Sequence, residues 1–352
     1  MIRQWMAGIC LGWLATHELA LAGDGAALAR AQGIAYPAVI AHRGASFDAP
    51  ESTAPAYLLA RELGADYLEL DLRRTRDGAL VVLHDGDLLR TTDVAQRFAQ
   101  RTGDPVSAFT LAELQSLDVG NWFNQAYPER ARAGFSGLKV LTLQDVMAIA
   151  EGNPLKRPGL YIEPKVTGIE QELYQALQAR GWLDTPGRVV LQSFSPDTLA
   201  RMHALMPQIP KVLLLRIGRS GIEPLSGQTF AESGETDRAA FYARQQPRDR
   251  AEFERWLDHA QAAGAIGTGA SAARSNGGDQ SYAELVHPWM NSLARARGLL
   301  VHVYTVDEAV DFARVSDAGV DGIITNRSGQ LLRFYDRPGV VNEASVLNRL
   351  GY

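Results

Sequence analysis

The chain has 352 residues, 46% of them hydrophobic and 21% charged. That balance supports a large core and excludes a disordered or fibrous protein. The formal net charge is -5 and no block of basic residues stands out, which argues against nucleic acid as a partner.

The N-terminus reads as a secretory leader. Arg3 supplies the positive start, Met6 to Ala15 the apolar stretch, and Ala20-Leu21-Ala22 a small-x-small cleavage site before Gly23. Thr16-His17-Glu18 interrupts this pattern, so an amphipathic or disordered tail is the alternative. The apolar run is too short to span a bilayer, so no stable membrane insertion is expected. Cys10 is the only cysteine; cleavage would remove it, and Ile9 before it does not suit lipid attachment. A mature chain without cysteine is compatible with a periplasmic or secreted location but does not require one. The expected division is a leader over 1–22, a linker over 23–37 and one domain over 38–352.

From residue 38 onward β-forming runs alternate with helical patterns. The first strand is Ala38–His42, followed by a helix from about Thr53 to Leu63 with Gly64 as its stop. Tyr67–Leu72 is the second strand. Asp77-Gly78 marks a tight turn before a short strand, Leu80–Leu83. Residues 85 to about 137 break the alternation and read as an insertion with one helix near Leu111–Leu117. Its Trp122, Phe123 and Tyr127 are expected mainly to pack that insertion. Then come helix Thr142–Ala150, strand Gly159–Glu163, helix Glu170–Arg180, strand Val189–Ser193, helix Pro196–Met206 and strand Lys211–Leu215. Gly218 to Gln246 reads as a loop. Helix Asp249–Ala263, a weak strand over Ala265–Thr268 and a loop from Gly269 to Gln280 follow. Helix His287–Arg297, strand Leu299–Thr305, helix Asp307–Ser316, strand Asp321–Thr325 and helix Ser328–Tyr335 complete the order. With Leu80–Val82 as a side hairpin, eight β/α units remain. The fold class is therefore α/β: a (β/α)8 TIM barrel with an insertion after the second strand. No Gly-rich phosphate or dinucleotide fingerprint follows any strand.

The chemistry-bearing residues gather at strand ends, where barrel enzymes keep their active sites. Glu69 and Asp71 are two apart on a strand and share a face. Glu163 ends another strand. Buried carboxylates need a cation or a partner, and three of them make an oxygen-rich site suited to Ca²⁺ or Mg²⁺. Pairing with Arg43, Arg73 or Lys165 without metal is the alternative. His42 and His84 each end a strand; a lone histidine is more often structural, but two beside carboxylates can divide acid and base roles. Arg43 offers a planar fork for phosphate oxygens, and Lys165 a second charge. Gln192 either donates to a ligand or is a buried amide satisfied by backbone. Asp321 and Gly322 read as strand start and close packing.

Together these segments resemble the glycerophosphodiester phosphodiesterase family. The matching pieces are His42-Arg43-Gly44 with Pro50-Glu51-Ser52-Thr53, Glu69-Leu70-Asp71, Asp77-Gly78 with Val81 to Asp85, Leu89-Arg90-Thr91-Thr92, Ile162 to Lys165, Gln192-Ser193-Phe194, Val303 to Val306, and Asp321 to Thr325. The resemblance runs from about residue 38 to 335 and points to the periplasmic branch. It implies hydrolysis of small-molecule glycerophosphodiesters to sn-glycerol 3-phosphate and an alcohol. It implies Glu69, Asp71 and Glu163 as ligands of a divalent cation, most often calcium, and His42 and His84 as the acid/base pair. Arg43 and Lys165 match phosphate-contacting positions, and Glu51 an acidic partner near the metal. Three positions depart from the family pattern: Pro164 replaces an aliphatic residue, Tyr304 a tryptophan in the wall that holds glycerol, and Asn326 an aspartate. A lysophospholipase D or sphingomyelinase-like activity on the same barrel is one alternative; a non-catalytic periplasmic binding protein is another.

Overall fold

The computed structural model describes residues 24–272 and 284–352. The expected leader lies outside them, as does most of the segment after Ser271. Among the described residues nine strands form, in chain order: β1 (Ala38–Ala41), β2 (Tyr67–Arg74), β3 (Leu80–Val82), β4 (Gly159–Pro164), β5 (Val189–Ser193), β6 (Lys211–Leu215), β7 (Gly267–Ser271), β8 (Leu300–Tyr304) and β9 (Gly322–Thr325). All but β3 pair in parallel, and β1 pairs with both β9 and β2. The sheet therefore closes into an eight-stranded barrel with helices between strands, a (β/α)8 TIM barrel. β3 pairs antiparallel with the end of β2, so it is the side hairpin expected from Asp77-Gly78.

The strands are buried on both faces, as parallel strands under a helical layer must be. Alternate residues separate into two cores. Ile40, Tyr67, Tyr161, Val190, Val212 and Leu300 fill the barrel, while Val39, Leu68, Leu160 and Leu213 meet the helices outside. Space inside is tight: a Cβ on Gly159 would lie 2.5 Å from the Tyr67 ring. The Asp321-Gly322 step does what the sequence suggested. Asp321 accepts from Val301 N–H at 2.8 Å, and Gly322 leaves room for Ala38 and His302.

Four expectations need correction. The stretch read as a linker carries a helix, Gly25–Ala31, whose Ala29 joins Ile34 in the barrel core; it covers the end of the barrel opposite the site. The segment 218–246 holds short helices at Phe230–Ser233 and Arg238–Ala243. β7 reaches Ser271, past Gly269, where the sequence predicts the start of a loop. Its glycine is a packing choice, since a Cβ there would meet Leu214 at 2.4 Å. A final helix, Glu343–Arg349, is capped by Asn342 and buries Val346 and Leu347.

The insertion has a core of its own, built on Val81, Leu83, Val94, Phe109, Leu114 and Leu117. Trp122, Phe123 and Tyr127 do pack together, with ring centroids 5.0–6.4 Å apart, but they join the main core rather than the insertion's own: Phe123 is buried in the cluster that holds Leu143, Val146 and Met147. Asp48, in the loop after β1, is pushed up to about 7 by burial and next by Glu343, against Arg130, Arg327 and Arg333. A raised carboxyl makes the folded state hold a proton that the unfolded chain releases near 3.8. Its stabilising contribution is present below that value and lost as pH rises through about 7. Asp48→Asn should therefore flatten the fall in melting temperature between pH 5 and 8; an unchanged slope contradicts the assignment.

Candidate active site

After Ala41 the chain reverses sharply. Arg43 has φ 55° and Gly44 φ 85°, both left-handed. A Cβ on Gly44 would lie 2.6 Å from the Ala56 carbonyl carbon, so only glycine fits. Arg43 holds a conformation that costs an ordinary residue about 1–3 kcal/mol. Its N–H compensates by donating to Glu69 Oε2 at 2.9 Å, which ties the end of β1 to the carboxylates of β2.

Asp71 and Glu163 are register partners on β2 and β4, and Glu69 precedes Asp71 on the same face. Their carboxylate oxygens lie within 4.8 Å of one another, and all three residues are buried. Lys165 Nζ donates to Glu163 Oε1 at 2.9 Å and sits 3.3 Å from Asp71 Oδ1. Arg43 Nε is 3.3 Å from Asp71 Oδ2, but Arg43 NH1 also serves Glu51 at 3.0 Å. Glu69 has no cationic side-chain partner among the described residues; it accepts from Arg43 N–H and from Gln192 Nε2 at 3.0 Å. The electrostatic result is uneven. Burial, then the Asp71 charge, raises Glu69 well above the carboxylate range. Burial also raises Glu163, despite Lys165 beside it. Asp71 is held below the ordinary range although burial opposes this, because Lys165 and Arg43 flank it.

A divalent cation fits this set. The donors are all oxygen, negative charge is in surplus, and the buried Asp71 Oδ2 and Gln192 Oε1 have no hydrogen-bond partner. Such a site suits calcium or magnesium better than zinc. Lysine and arginine pairing alone leaves Glu69 without an ion-pair partner among the described residues.

His42 and His84 line the same cavity as the triad, together with Arg43, Lys165, Gln192, Phe194 and Tyr304. His42 Nδ1 is 2.7 Å from Asn326 Oδ1. Asn326 Nδ2 donates to Asp307 Oδ2 at 2.7 Å, which turns the amide oxygen toward the imidazole. His42 Nδ1 must then be the donor, and Nε2 keeps its lone pair. Burial, then the Arg43 charge, pushes His42 down to about 3, so the ring is neutral near pH 7. His84 Nδ1 pairs with Asp85 Oδ1 at 2.7 Å, and the His84 carbonyl accepts from Arg73 NH2 at 2.6 Å. Asp85 is held below the ordinary carboxylate range, chiefly by that hydrogen bond and against burial.

The structure thus gathers nine of the ten residues singled out from sequence around one cavity. Glu51 stands behind them: both its oxygens are taken by Arg43 and Arg90, and these hold it down at about 2 against burial. Tyr304 donates to the Leu215 carbonyl at 2.7 Å and meets Phe194 edge-on, so it forms wall. Three supporting residues went unassigned. Asp85 and Arg90 stood in the matching segments without a role, and Asn326 was noted only as a departure. In an open depression at the other end of the barrel, bordered by Arg61, Lys156, Arg157 and Arg188, the Arg61 and Arg188 side chains are engaged with backbone carbonyls.

Comparison with known proteins agrees with this geometry. The family model described as the glycerophosphoryl diester phosphodiesterase family matches residues 42–330. The chain belongs to that family. A glycerophosphodiester phosphodiesterase of Bacillus subtilis is 34% identical over 294 residues, covering 82% of each chain. One from Caldanaerobacter subterraneus is 28% identical over 306 residues, covering 86% of this chain and 98% of the relative. Among solved structures, an Oleispira antarctica phosphodiesterase in complex with the product sn-glycerol-3-phosphate superposes with TM-score 0.60 at 21% identity. It covers 86% of this chain and 97% of that one. An Agrobacterium tumefaciens glycerophosphodiester phosphodiesterase gives TM-score 0.56 at 24% identity, covering 84% and 99%. These two likenesses bear on the fold.

Proposed function

We infer that the chain hydrolyses glycerophosphodiesters to sn-glycerol 3-phosphate and an alcohol, with His42 and His84 as proton carriers beside a divalent cation. The observation that carries this reading is His42, its Nδ1 held by Asn326, lining the same cavity as His84 and the acidic triad. Glu69, Asp71 and Glu163 would hold the ion, calcium before magnesium. When bound, it supplies Lewis-acid stabilisation of the charge growing on the phosphoryl oxygens. Arg43 and Lys165 hold the remaining phosphate oxygens. His42 Nε2 takes the proton of the attacking hydroxyl, which is water or the neighbouring glycerol hydroxyl. As the phosphorus–oxygen bond to the alcohol breaks, His84 gives that oxygen a proton. In a two-step route the two histidines exchange roles for the second step.

Export from the cytoplasm is part of this proposal and rests on the leader pattern of residues 1–22. No helix among the described residues is long and apolar enough to cross a membrane.

The deciding experiment follows release of choline from glycerophosphocholine, with glycerol 3-phosphate as its second product, and in parallel release of choline from lysophosphatidylcholine, with EDTA and calcium add-back. Release from the short diester, lost in EDTA and restored by calcium, is expected. Preferred turnover of the lysolipid favours the lipid-directed reading, and tight binding without release favours a binding protein.

A further inference from the structure

The insertion sends Arg90 back to the machinery. Arg90 has three nitrogens, and all are committed to carboxylates. Nε donates to Asp85 Oδ2 at 2.6 Å, NH1 to Glu51 Oε2 at 2.7 Å and NH2 to Glu51 Oε1 at 2.8 Å. Each of these acids has a second partner. Asp85 Oδ1 holds His84 Nδ1 at 2.7 Å, and Glu51 Oε1 accepts from Arg43 NH1 at 3.0 Å. One guanidinium therefore joins the support of His84 to the support of Arg43. Its carbon lies 5.8 Å from the Trp122 ring centroid, which seats it against the packed part of the insertion.

An arginine whose side chain is 44% exposed adds little to stability through its ion pairs. Its fork geometry is a different matter, because a planar donor set fixes direction as well as charge. Asp85 can aim the His84 ring only if its own carboxylate is fixed. The bond from Arg90 Nε supplies that second anchor. Glu51, bound by both nitrogens of the fork, is the fixed point on which the arrangement turns.

We propose that Arg90 is a positioning residue that sets His84 for proton delivery to the leaving alcohol, through Asp85 and with Glu51 as its anchor. This rests on the reading of His84 as the acid. Arg90 does not line the cavity, so it acts only through these partners. The linkage also gives the insertion a part in the chemistry: its packing holds the arginine that holds the histidine.

The test uses two diesters of glycerol 3-phosphate on the calcium-loaded full chain. One carries choline, whose oxygen needs a proton to leave; the other carries p-nitrophenol, which does not. For Arg90→Ala, kcat on the choline ester should fall about 100-fold, within the range that general acid catalysis supplies. On the p-nitrophenyl ester it should fall less than about 10-fold. Arg90→Lys keeps the charge without the fork and should recover part of the choline-ester rate. A drop of equal size on both esters, or a choline-ester kcat within about threefold of wild type, overturns the proposal. His84→Ala run alongside separates the two readings. If it shows the leaving-group difference and Arg90→Ala does not, only the Arg90 assignment fails. If His84→Ala shows none, the acid role itself fails.

Discussion

His42→Ala and His84→Ala should each lower kcat by roughly a hundredfold to ten-thousandfold, the range over which a positioned acid or base acts. The reasons differ. His42 is neutral and its tautomer is set, because Asp307 turns Asn326 and Asn326 Oδ1 accepts from Nδ1. On the proposed roles, removing the ring leaves the attacking hydroxyl without an acceptor. His84 is paired with Asp85 on one nitrogen, and if it is the proposed acid, losing it leaves the alcohol to depart as an alkoxide. Neither ring is among the oxygens of the acidic triad. Calcium binding, read by calorimetry, should therefore stay within a few-fold of wild type. Near-wild-type kcat in either variant sinks the acid/base assignment. Loss of calcium binding in both would instead mean that the imidazoles build the cation site.

The second large effect is on stability and metal together. Three buried carboxylates lie together, only Asp71 and Glu163 of them ion-paired with Arg43 or Lys165, and burial raises Glu69 and Glu163. Raised carboxyls bind protons more tightly in the folded state than in the unfolded chain. The metal-free protein should therefore lose stability as pH rises above the ordinary carboxylate range. A cation bound to the folded state alone stabilises by about 2.7 kcal/mol at a hundredfold excess over its Kd. Melting temperature near neutral pH should accordingly rise with calcium, and the pH slope should shrink. Glu163→Gln removes one negative ligand. It should raise the melting temperature of the metal-free protein, abolish most of the calcium-induced rise and depress activity, with partial recovery at high calcium. A calcium-independent melting temperature in the wild type would show that Lys165 and Arg43 neutralise the triad by themselves.

Much of the fold was legible because strand and helix periods are local. Apolar runs of four to eight residues, punctuated by Gly64, Asp77-Gly78 and Gly181, located most strands and the intervening helices within a residue or two. The failures came where local preference was overruled by packing. Gly267 to Ser271 has poor β character, yet it forms β7 because small residues are what the crowded barrel admits beside Leu214 and Leu300. Gly25–Ala31 forms a helix against the barrel end, where Ala29 is fully buried. Glu343–Arg349 carries its own cap signal in Asn342, followed by Val346, Leu347 and Leu350 at helical spacing, and could have been read from sequence.

The site divides in the same way. The sequence by itself determined that Glu69 and Asp71 share a face and that His42, His84 and Glu163 stand at strand ends, because a strand alternates its side chains with period two. It also determined the residue types, and with them the family and the oxygen-rich character of the site. Only the tertiary structure decided how those groups are held. His42 and Asn326 are 284 residues apart, and Arg90 and Glu51 are 39 apart. No local period relates either pair. Closing β9 against β1 brings Asn326 to His42, and folding the insertion over the barrel mouth brings Arg90 to Glu51 and Asp85. Directional hydrogen bonds between such distant partners exist only once the barrel has closed.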